Sequence, residues 1–163
     1  PEVSVVGRYD MWLPGNQSIN TFTGFLKPDP EITLTIPSAT DKAISVGAYD
    51  TSTDKVATFS GRGFTRENNQ IKPDIVAPGV NIRSAATGGG TTVLSGTSMA
   101  TPFVTGSAAL MMEWGIVRGN DPYLYGEKIK AYLIRGAKHL PGYEQWPNKQ
   151  AGWGALCLRD SLV

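Results

Sequence analysis

The chain has 163 residues, 40% of them hydrophobic and 18% charged, with a net charge of +1. This length and composition are typical of one globular domain that can bury a core, while the near-zero charge gives no electrostatic footprint for nucleic acid or a membrane surface. No stretch is apolar over the length of a membrane span. A single cysteine, Cys157, excludes an internal disulfide framework and is predicted to be a small buried hydrophobe.

Residues 1–30 differ in composition from the rest of the chain. An alternation over residues 3–9 predicts a short strand. Residues 27–30, Lys-Pro-Asp-Pro, predict a rigid linker, because each residue before a proline is pushed to extended conformations. We therefore interpret residues 1–30 as the tail of an upstream insertion plus a linker, and residues 31–163 as the main domain.

Three short stretches are then predicted to be strands. Residues 32–36 alternate between apolar residues and threonine. Residues 43–49 and 74–77 are short, largely apolar runs, which are typical of strands buried on both faces in a parallel sheet. The charged residues beside the last run, Lys72 and Asp74, are interpreted as a surface pair.

Residues 80–84 and 91–94 are predicted to form a hairpin that leads to Ser98. Both are short stretches with strand character, and Gly88-Gly89-Gly90 lies between them. The glycines are not part of a G-x-x-x-x-G-K-[ST] pattern, so a phosphate-binding loop is not expected.

Ser98 is followed by an unbroken apolar segment, residues 102–112. Its side chains cover every side of a helical wheel, which predicts a buried helix. Pro102 lacks an N–H and is tolerated only in a first turn, so the helix must begin within a few residues of Ser98. The serine hydroxyl would then lie near free N–H groups, which stabilise an oxyanion during acyl transfer.

These residues alone leave two interpretations of Ser98. Serine is common at helix N-caps, and in that case its hydroxyl has a structural role only. Alternatively Ser98 is a nucleophile, and the small residues Gly96 and Ala100 leave room beside it for a substrate backbone.

The rest of the chain predicts two helices and a connecting strand or turn. Asp121 followed by proline fits an N-cap, so a helix is predicted over residues 122–137. His139 is predicted to be a surface residue at the end of this helix. Residues 152–156 predict a short strand or turn, and a last helix is predicted to start at Asp160. The apolar face of the first helix comprises Tyr125, Ile129, Tyr132 and Leu133.

The run Gly96-Thr97-Ser98-Met99-Ala100-Thr101-Pro102 and the residues up to position 110 resemble the nucleophile motif of the subtilisin-like serine proteases, the subtilases. Residues 44–50 and 73–79 are similar to the same family, so the resemblance covers roughly residues 31–163. It implies an α/β fold, the C-terminal part of a three-layer parallel-sheet sandwich. One departure is Phe103, where the family usually has a histidine that is not the catalytic one.

The resemblance also implies roles for individual residues. Ser98 would be the nucleophile that forms an acyl-enzyme with a peptide or protein substrate. Gly96, Thr97 and Met99 would belong to the nucleophile motif and support the oxyanion site, to which the Ser98 N–H donates. Ile36-Pro37 would form part of the S1 wall, with a cis peptide bond. No metal site or cofactor is expected, although calcium sites are common in the family and cannot be placed on these residues.

Two parts of the family's machinery have no counterpart here. Subtilases order their triad as Asp, His and Ser, yet no histidine precedes Ser98, and the one histidine is His139. The oxyanion asparagine of an Ala-Gly-Asn segment is also absent. We therefore expect the C-terminal half of a catalytic domain that is inactive on its own, and that self-associates or binds a missing N-terminal half.

Alternatives to a serine endopeptidase stay open. The parent could be a pseudoprotease, or a peptide- or protein-binding module in which Ser98 is only a helix cap. An insertion before residue 31 is similar to that of subtilases of clostridial spore germination. By the same resemblance, we expect a bacterial protein that is secreted or located in the cell envelope or spore.

Overall fold

The computed structural model of the chain describes residues 10–13 and 22–162, together with Gly7 and Asn20. The residues that predicted a first strand, at positions 3, 5 and 9, lie outside this part. No helix within it is both long and apolar enough to cross a bilayer. The elements in chain order are β1 (Val46–Asp50), β2 (Lys55–Val56), β3 (Ile75–Pro78), β4 (Ile82–Ala85), β5 (Thr91–Leu94), α1 (Thr97–Met112), a short π-helical segment (Glu113–Val117), α2 (Gly126–Arg135) and α3 (Leu158–Ser161).

β1 and β3 are the parallel pair of a three-stranded sheet with the order β2-β1-β3. Their ladder begins where Val46 pairs with Ile75, and β2 is antiparallel to β1. Ile75, Val76 and Ala77 of β3 are fully buried. A parallel pair of strands is therefore confirmed near the apolar runs at 43–49 and 74–77, but β1 begins only at Val46 and is in part half-buried, and β3 begins at Ile75.

The strand predicted at residues 32–36 is not present. Ile32 has a φ of 55°, which lies outside the extended region. Thr33 donates its N–H to the Arg62 carbonyl (2.8 Å), and the Arg62 N–H donates to Thr33 Oγ1 (2.9 Å). An alternating pattern makes a strand only where a ladder partner exists, and no neighbouring strand within the described residues pairs with this stretch.

Lys72 and Asp74 are buried, so their interpretation as a surface pair is wrong. Lys72 Nζ lies 2.8 Å from Asp74 Oδ2, with side chains 1% and 3% exposed. A second ammonium group, Lys130 Nζ from α2, lies 2.9 Å from Asp74 Oδ1. Burial is tolerated because each charge has a partner of opposite sign.

α1 packs against β1 and β3, but through one face. Ala100, Val104 and Met111 on this face are buried, whereas Phe103 is 42% and Leu110 53% exposed. The prediction of a helix buried on all sides is therefore wrong for this chain, because no layer among the described residues covers the second face. An exposed apolar face of this kind favours association, and self-association or a covering N-terminal half stays a prediction.

The main hydrophobic core lies between the sheet, α1 and α2. Ile129 and Leu133 of α2 are buried, and Tyr132 is half-buried. Tyr125 is 58% exposed, because it precedes the helix as its N-cap residue. The amphipathic character predicted for this helix is thus confirmed, with a narrower apolar face.

Residues 152–156 return to the edge of the sheet as a turn with an isolated bridge. Ala155 pairs with Val76 in parallel orientation. A Cβ on Gly152 would lie 1.9 Å from the Pro73 carbonyl oxygen, and its φ is 58°, so this turn requires glycine. The last helix follows as predicted, two residues earlier than expected.

Asp121 is not the N-cap of α2, which begins at Gly126, later than predicted. Its carboxylate instead accepts hydrogen bonds from Lys128 Nζ (2.6 Å) and from the Tyr132 hydroxyl (2.8 Å). The aspartate before the proline therefore ties the preceding loop to the side of the helix.

This arrangement predicts a pH dependence of stability. The hydrogen bond from Lys128, with that from Tyr132, holds the pKa of the Asp121 carboxyl below its ordinary value of 3.8. A carboxyl whose pKa is lower in the folded state stabilises the fold above the unfolded-state value, and this contribution is lost as the pH falls towards the folded-state pKa. The stability difference between wild type and Asp121→Asn should therefore shrink as urea unfolding is repeated from about pH 6 to below about pH 3. A stability difference that stays constant over this pH range would contradict it.

Candidate active site

The β4–β5 hairpin delivers Ser98 to the start of α1, as predicted. Ile82, the first residue of β4, pairs with Leu94, the last residue of β5. Ser95 Oγ accepts the N–H of Asn81 (2.9 Å). The hairpin is thus closed by a side-chain bond three residues before Ser98.

A backbone contact between Gly79 and Gly96 lies directly before the start of α1. The Gly96 N–H donates to the Gly79 carbonyl at 2.8 Å. A Cβ on Gly79 would lie 2.5 Å from the Ala48 Cβ and 3.0 Å from the Gly96 carbonyl oxygen. Glycine at position 79 therefore allows the end of β3 to approach the segment that carries Ser98.

Ser98 is the second residue of α1, and its side chain is exposed to solvent. The N-cap residue is Gly96, which makes no side-chain capping bond. Among the described residues, none forms a hydrogen bond with the Ser98 hydroxyl. The interpretation of Ser98 as a helix cap is therefore wrong.

Two depressions meet at Ser98. The first has a volume of about 310 Å³ and the second about 250 Å³. The first is lined by Ile82, Arg83, Ser84, Ser98, Met99, Pro102 and Phe103. The second is lined by Pro37, Ser38, Ala43, Ile44, Ser45, Val46, Thr97, Ser98 and Thr101. Ser98 is the residue that these two linings share.

The other residues expected at the site are not all brought together. Thr97 lines the second depression and Met99 the first. Pro37 lines the second, and the Ile36–Pro37 bond is cis, as predicted. The Ile36 side chain is 93% exposed and lines neither depression, so in this chain Pro37 alone represents the expected wall.

Phe103, where the sequence departs from the motif, lines the first depression with 42% of its surface exposed. Its ring adds apolar surface beside Ser98. The departure therefore affects the shape of the site as well as the packing of α1.

His139 is exposed and lies outside both depressions. Its ring stacks on Trp146 with centroids 4.4 Å apart and planes 1° from parallel. The position confirms it as a surface residue, with no contact to Ser98. Cys157 is half-buried and free, and the described part of the chain contains no group of three or more residues suited to hold a metal ion.

One part of the site was missed by the sequence. Residues 43–46 were predicted to belong to a strand, but residues 43–45 precede β1, and together with Val46 they form a wall of the second depression. Lys130 Nζ from α2 donates to the Ala43 carbonyl in this wall (3.2 Å), across 87 positions of sequence. A contact between residues so far apart has no local sequence signal.

The geometry suits nucleophilic chemistry on an acyl group. An exposed hydroxyl lies in the first turn of a 16-residue helix, where free N–H groups and the helix dipole stabilise developing negative charge. Among the described residues that line the two depressions, none is a histidine that could remove the proton of the Ser98 hydroxyl. The described part of the chain thus presents an exposed serine hydroxyl at the start of a helix, between two depressions.

Comparison with known proteins gives a consistent family match. The sequence profile of the subtilase family, peptidase S8, matches residues 12–154. Serine protease AprX of Bacillus subtilis is 36% identical over 158 residues, covering 83% of this chain and 33% of that protein. The human membrane-bound transcription factor site-1 protease is 34% identical over 131 residues, covering 77% of this chain and 12% of that protein.

Solved structures agree. The CspB protease of Clostridium perfringens superposes with a TM-score of 0.81 and 50% identity, covering 85% of this chain and 30% of that one. The patellamide maturation protease PatA gives a TM-score of 0.63 and 33% identity, covering 77% and 44%. The expected subtilisin-like α/β fold is thereby confirmed. The chain spans about a third of the length of AprX and of CspB.

Proposed function

Because the chain belongs to the subtilase family of serine proteases, we propose that it carries the nucleophile of a serine endopeptidase, and that this nucleophile is Ser98. The observation that carries the proposal is the position of its hydroxyl. It is exposed, lies in the first turn of α1, and stands where two depressions meet.

In the proposed reaction, Ser98 Oγ attacks the carbonyl carbon of a peptide bond, and its proton passes to a base. The carbonyl oxygen becomes an oxyanion, to which the Ser98 backbone N–H donates. Collapse of this intermediate breaks the C–N bond, the amine leaves with a proton, and an acyl-enzyme remains on Ser98. Water then releases the acid and restores the hydroxyl.

Neighbouring residues have supporting roles in this proposal. Gly96 and Thr97 bring the backbone into the first turn, and Met99 packs beside Ser98 in the first depression. Pro37 contributes to the wall of the second depression, which would accept part of the substrate on one side of the scissile bond. No cofactor takes part in these steps.

The catalytic aspartate, histidine and oxyanion asparagine are proposed to come from other parts of the whole protein. A serine hydroxyl is a weak nucleophile without an adjacent base, and His139 lies away from Ser98. In this proposal residues 31–163 form the C-terminal half of the catalytic domain and residues 1–30 lead in from an insertion. The substrates would be peptides or proteins met outside the bacterial cell, or in its envelope or spore.

The test is to locate the site of covalent modification in the whole protein. A fluorophosphonate probe should label it, and peptide mass spectrometry should place the adduct on Ser98. An adduct on another serine would contradict the assignment. Absence of labelling together with binding of peptides would favour the alternative, a pseudoprotease.

A related prediction concerns the 163-residue chain by itself. We expect its fluorophosphonate labelling to be no faster than that of its Ser98→Ala variant, because none of the residues that the structure describes places a base beside the hydroxyl. Labelling rates of both proteins at equal concentration measure this. Clear Ser98-dependent labelling of the purified chain would show that the missing base is not required.

A further inference from the structure

Asp74 lies at the centre of a buried cluster of charges that links three parts of the fold. Its Oδ2 accepts from Lys72 Nζ (2.8 Å) and from the Ser45 N–H (2.6 Å), and its Oδ1 is 2.9 Å from Lys130 Nζ. Lys72 and Asp74 precede β3, Ser45 precedes β1, and Lys130 is in α2. The cluster therefore joins the sheet, α2 and the segment before β1.

The two ammonium groups also hold main-chain carbonyl oxygens of that segment. Lys72 Nζ donates to the Ala43 carbonyl at 2.9 Å. Lys130 Nζ donates to the carbonyls of Asp41 (2.8 Å) and Ala43 (3.2 Å). With its bond to Asp74, Lys130 uses all three of its N–H donors.

The carbonyl oxygens of residues 41 and 43 compensate for an imbalance of charge in the cluster. Two ammonium groups and one carboxylate leave a net positive charge in a buried place, where an unsolvated charge is costly. Carbonyl oxygens of residues 41 and 43 supply the negative dipole ends that solvent would otherwise provide. The path of residues 41–45 is therefore held by hydrogen bonds between its backbone and charged side chains outside the segment, in addition to the β1–β3 ladder that starts at Val46.

The same segment borders the candidate active site. Residues 43–46 line the second depression, which also contains Pro37 and Ser98. We infer that Lys130, Asp74 and Lys72 are positioning residues for substrate binding, because their bonds to residues 41, 43 and 45 hold the 43–46 wall in place beside Ser98. The inference rests on the proposed function, since it assigns the wall to the substrate of that site.

Lys130 is the member of the cluster best suited to a test. Its side chain is 18% exposed, whereas those of Lys72 and Asp74 are almost fully buried. In Lys130→Met, Asp74 keeps its bonds to Lys72 and to the Ser45 N–H, so the fold should persist. Lys128→Met is the matched control, because Lys128 lies on the same helix and binds Asp121 instead.

The experiment compares these variants and Lys130→Arg in the whole protein. Hydrogen exchange of the amides at residues 41–46 and the kinetics of a fluorogenic hexapeptide, selected as the best substrate of the wild type, are measured. For Lys130→Met we expect faster exchange in this segment and a KM raised by about tenfold with kcat nearly unchanged, since the wall binds substrate before and during reaction alike. Lys130→Arg should recover most of the loss, and Lys128→Met should show neither effect.

Three results would overturn the inference: unchanged exchange in Lys130→Met, faster exchange with unchanged KM, or equal effects in Lys128→Met. Failure of the proposed function would look different. If the wild type cleaves no peptide in a Ser98-dependent way, that function is wrong. Exchange at residues 41–46 then still decides whether the cluster holds the wall.

Discussion

Replacing Ser98 with alanine in the whole protein should lower kcat/KM for peptide hydrolysis by about 10⁴-fold or more. In the proposed mechanism the covalent path depends on this hydroxyl, because Ser98 is the residue that lines both depressions and lies in the first turn of α1. What remains after the change is the binding of substrate and the stabilisation of an oxyanion at the helix start. KM should therefore change little while kcat falls.

Ser95→Ala is the control for this prediction. Ser95 is an exposed serine three residues earlier, and its hydroxyl accepts the Asn81 N–H. Its loss removes one hydrogen bond of about 1 kcal/mol from the hairpin and leaves the nucleophile intact. Both variants are compared by steady-state hydrolysis and by fluorophosphonate labelling. A similar decrease in both would mean that the hairpin, rather than the Ser98 hydroxyl, limits activity.

The features that sequence predicted correctly are those with short-range causes. The apolar run after Ser98 indicated a helix, and the glycines between residues 80–84 and 91–94 indicated a hairpin, so the position of Ser98 could be derived from its own neighbourhood. The first-turn rule for Pro102 was too strict, because this proline lies inside α1 rather than in its first turn. The motif around Ser98 then indicated the family, which the profile match over residues 12–154 confirmed. Local conformation and family membership were therefore predictable together.

The features that sequence missed depend on distant partners. Residues 32–36 have an alternating pattern, yet Thr33 meets a loop at Arg62 rather than another strand. Lys72 and Asp74 looked like a surface pair because Lys130, which completes their cluster, lies far along the chain. No pattern within a window of a few residues contains this information.

The apolar sequence of α1 did not show that one face of the helix would be buried and the other exposed. Ala100 and Met111 are buried against the sheet, as an apolar helix requires, but Leu110 is exposed. The composition of a helix shows how much surface it must bury and not which chain covers each face. The wall at residues 43–46 was missed for a similar reason. These residues belong to the site only because Pro37 and Ser98 line the same depression, and the local sequence does not show this.

Asp74→Ala should destabilise the domain by about 3–5 kcal/mol, the usual cost of removing one partner from a buried ion pair. It leaves the buried Lys72 and the half-buried Lys130 as positive charges without a carboxylate, and it leaves the Ser45 N–H without its acceptor. Asp160→Ala is the control, because the Asp160 carboxylate is 40% exposed in its pairs with Lys138 and Arg159. Exposed pairs of this kind contribute about 1 kcal/mol or less.

The measurement is urea unfolding of the whole protein in a Ser98→Ala background, which prevents self-digestion. Burial lowers the pKa of the Lys72 ammonium below 10.5, and the neighbouring Asp74 opposes this shift. Without Asp74 the pKa of Lys72 should fall further. The folded state then binds fewer protons than the unfolded state between the two pKa values, so the stability of Asp74→Ala should rise with pH in that range.

A second variant separates charge from packing. Adding Lys72→Met to Asp74→Ala removes one of the two unpaired ammonium groups and should recover part of the lost stability. If Asp74→Ala instead loses no more than Asp160→Ala, Asp74 is not the residue that holds α2 and the segment before β1 together. The wall beside Ser98 would then owe its position to the β1–β3 ladder alone.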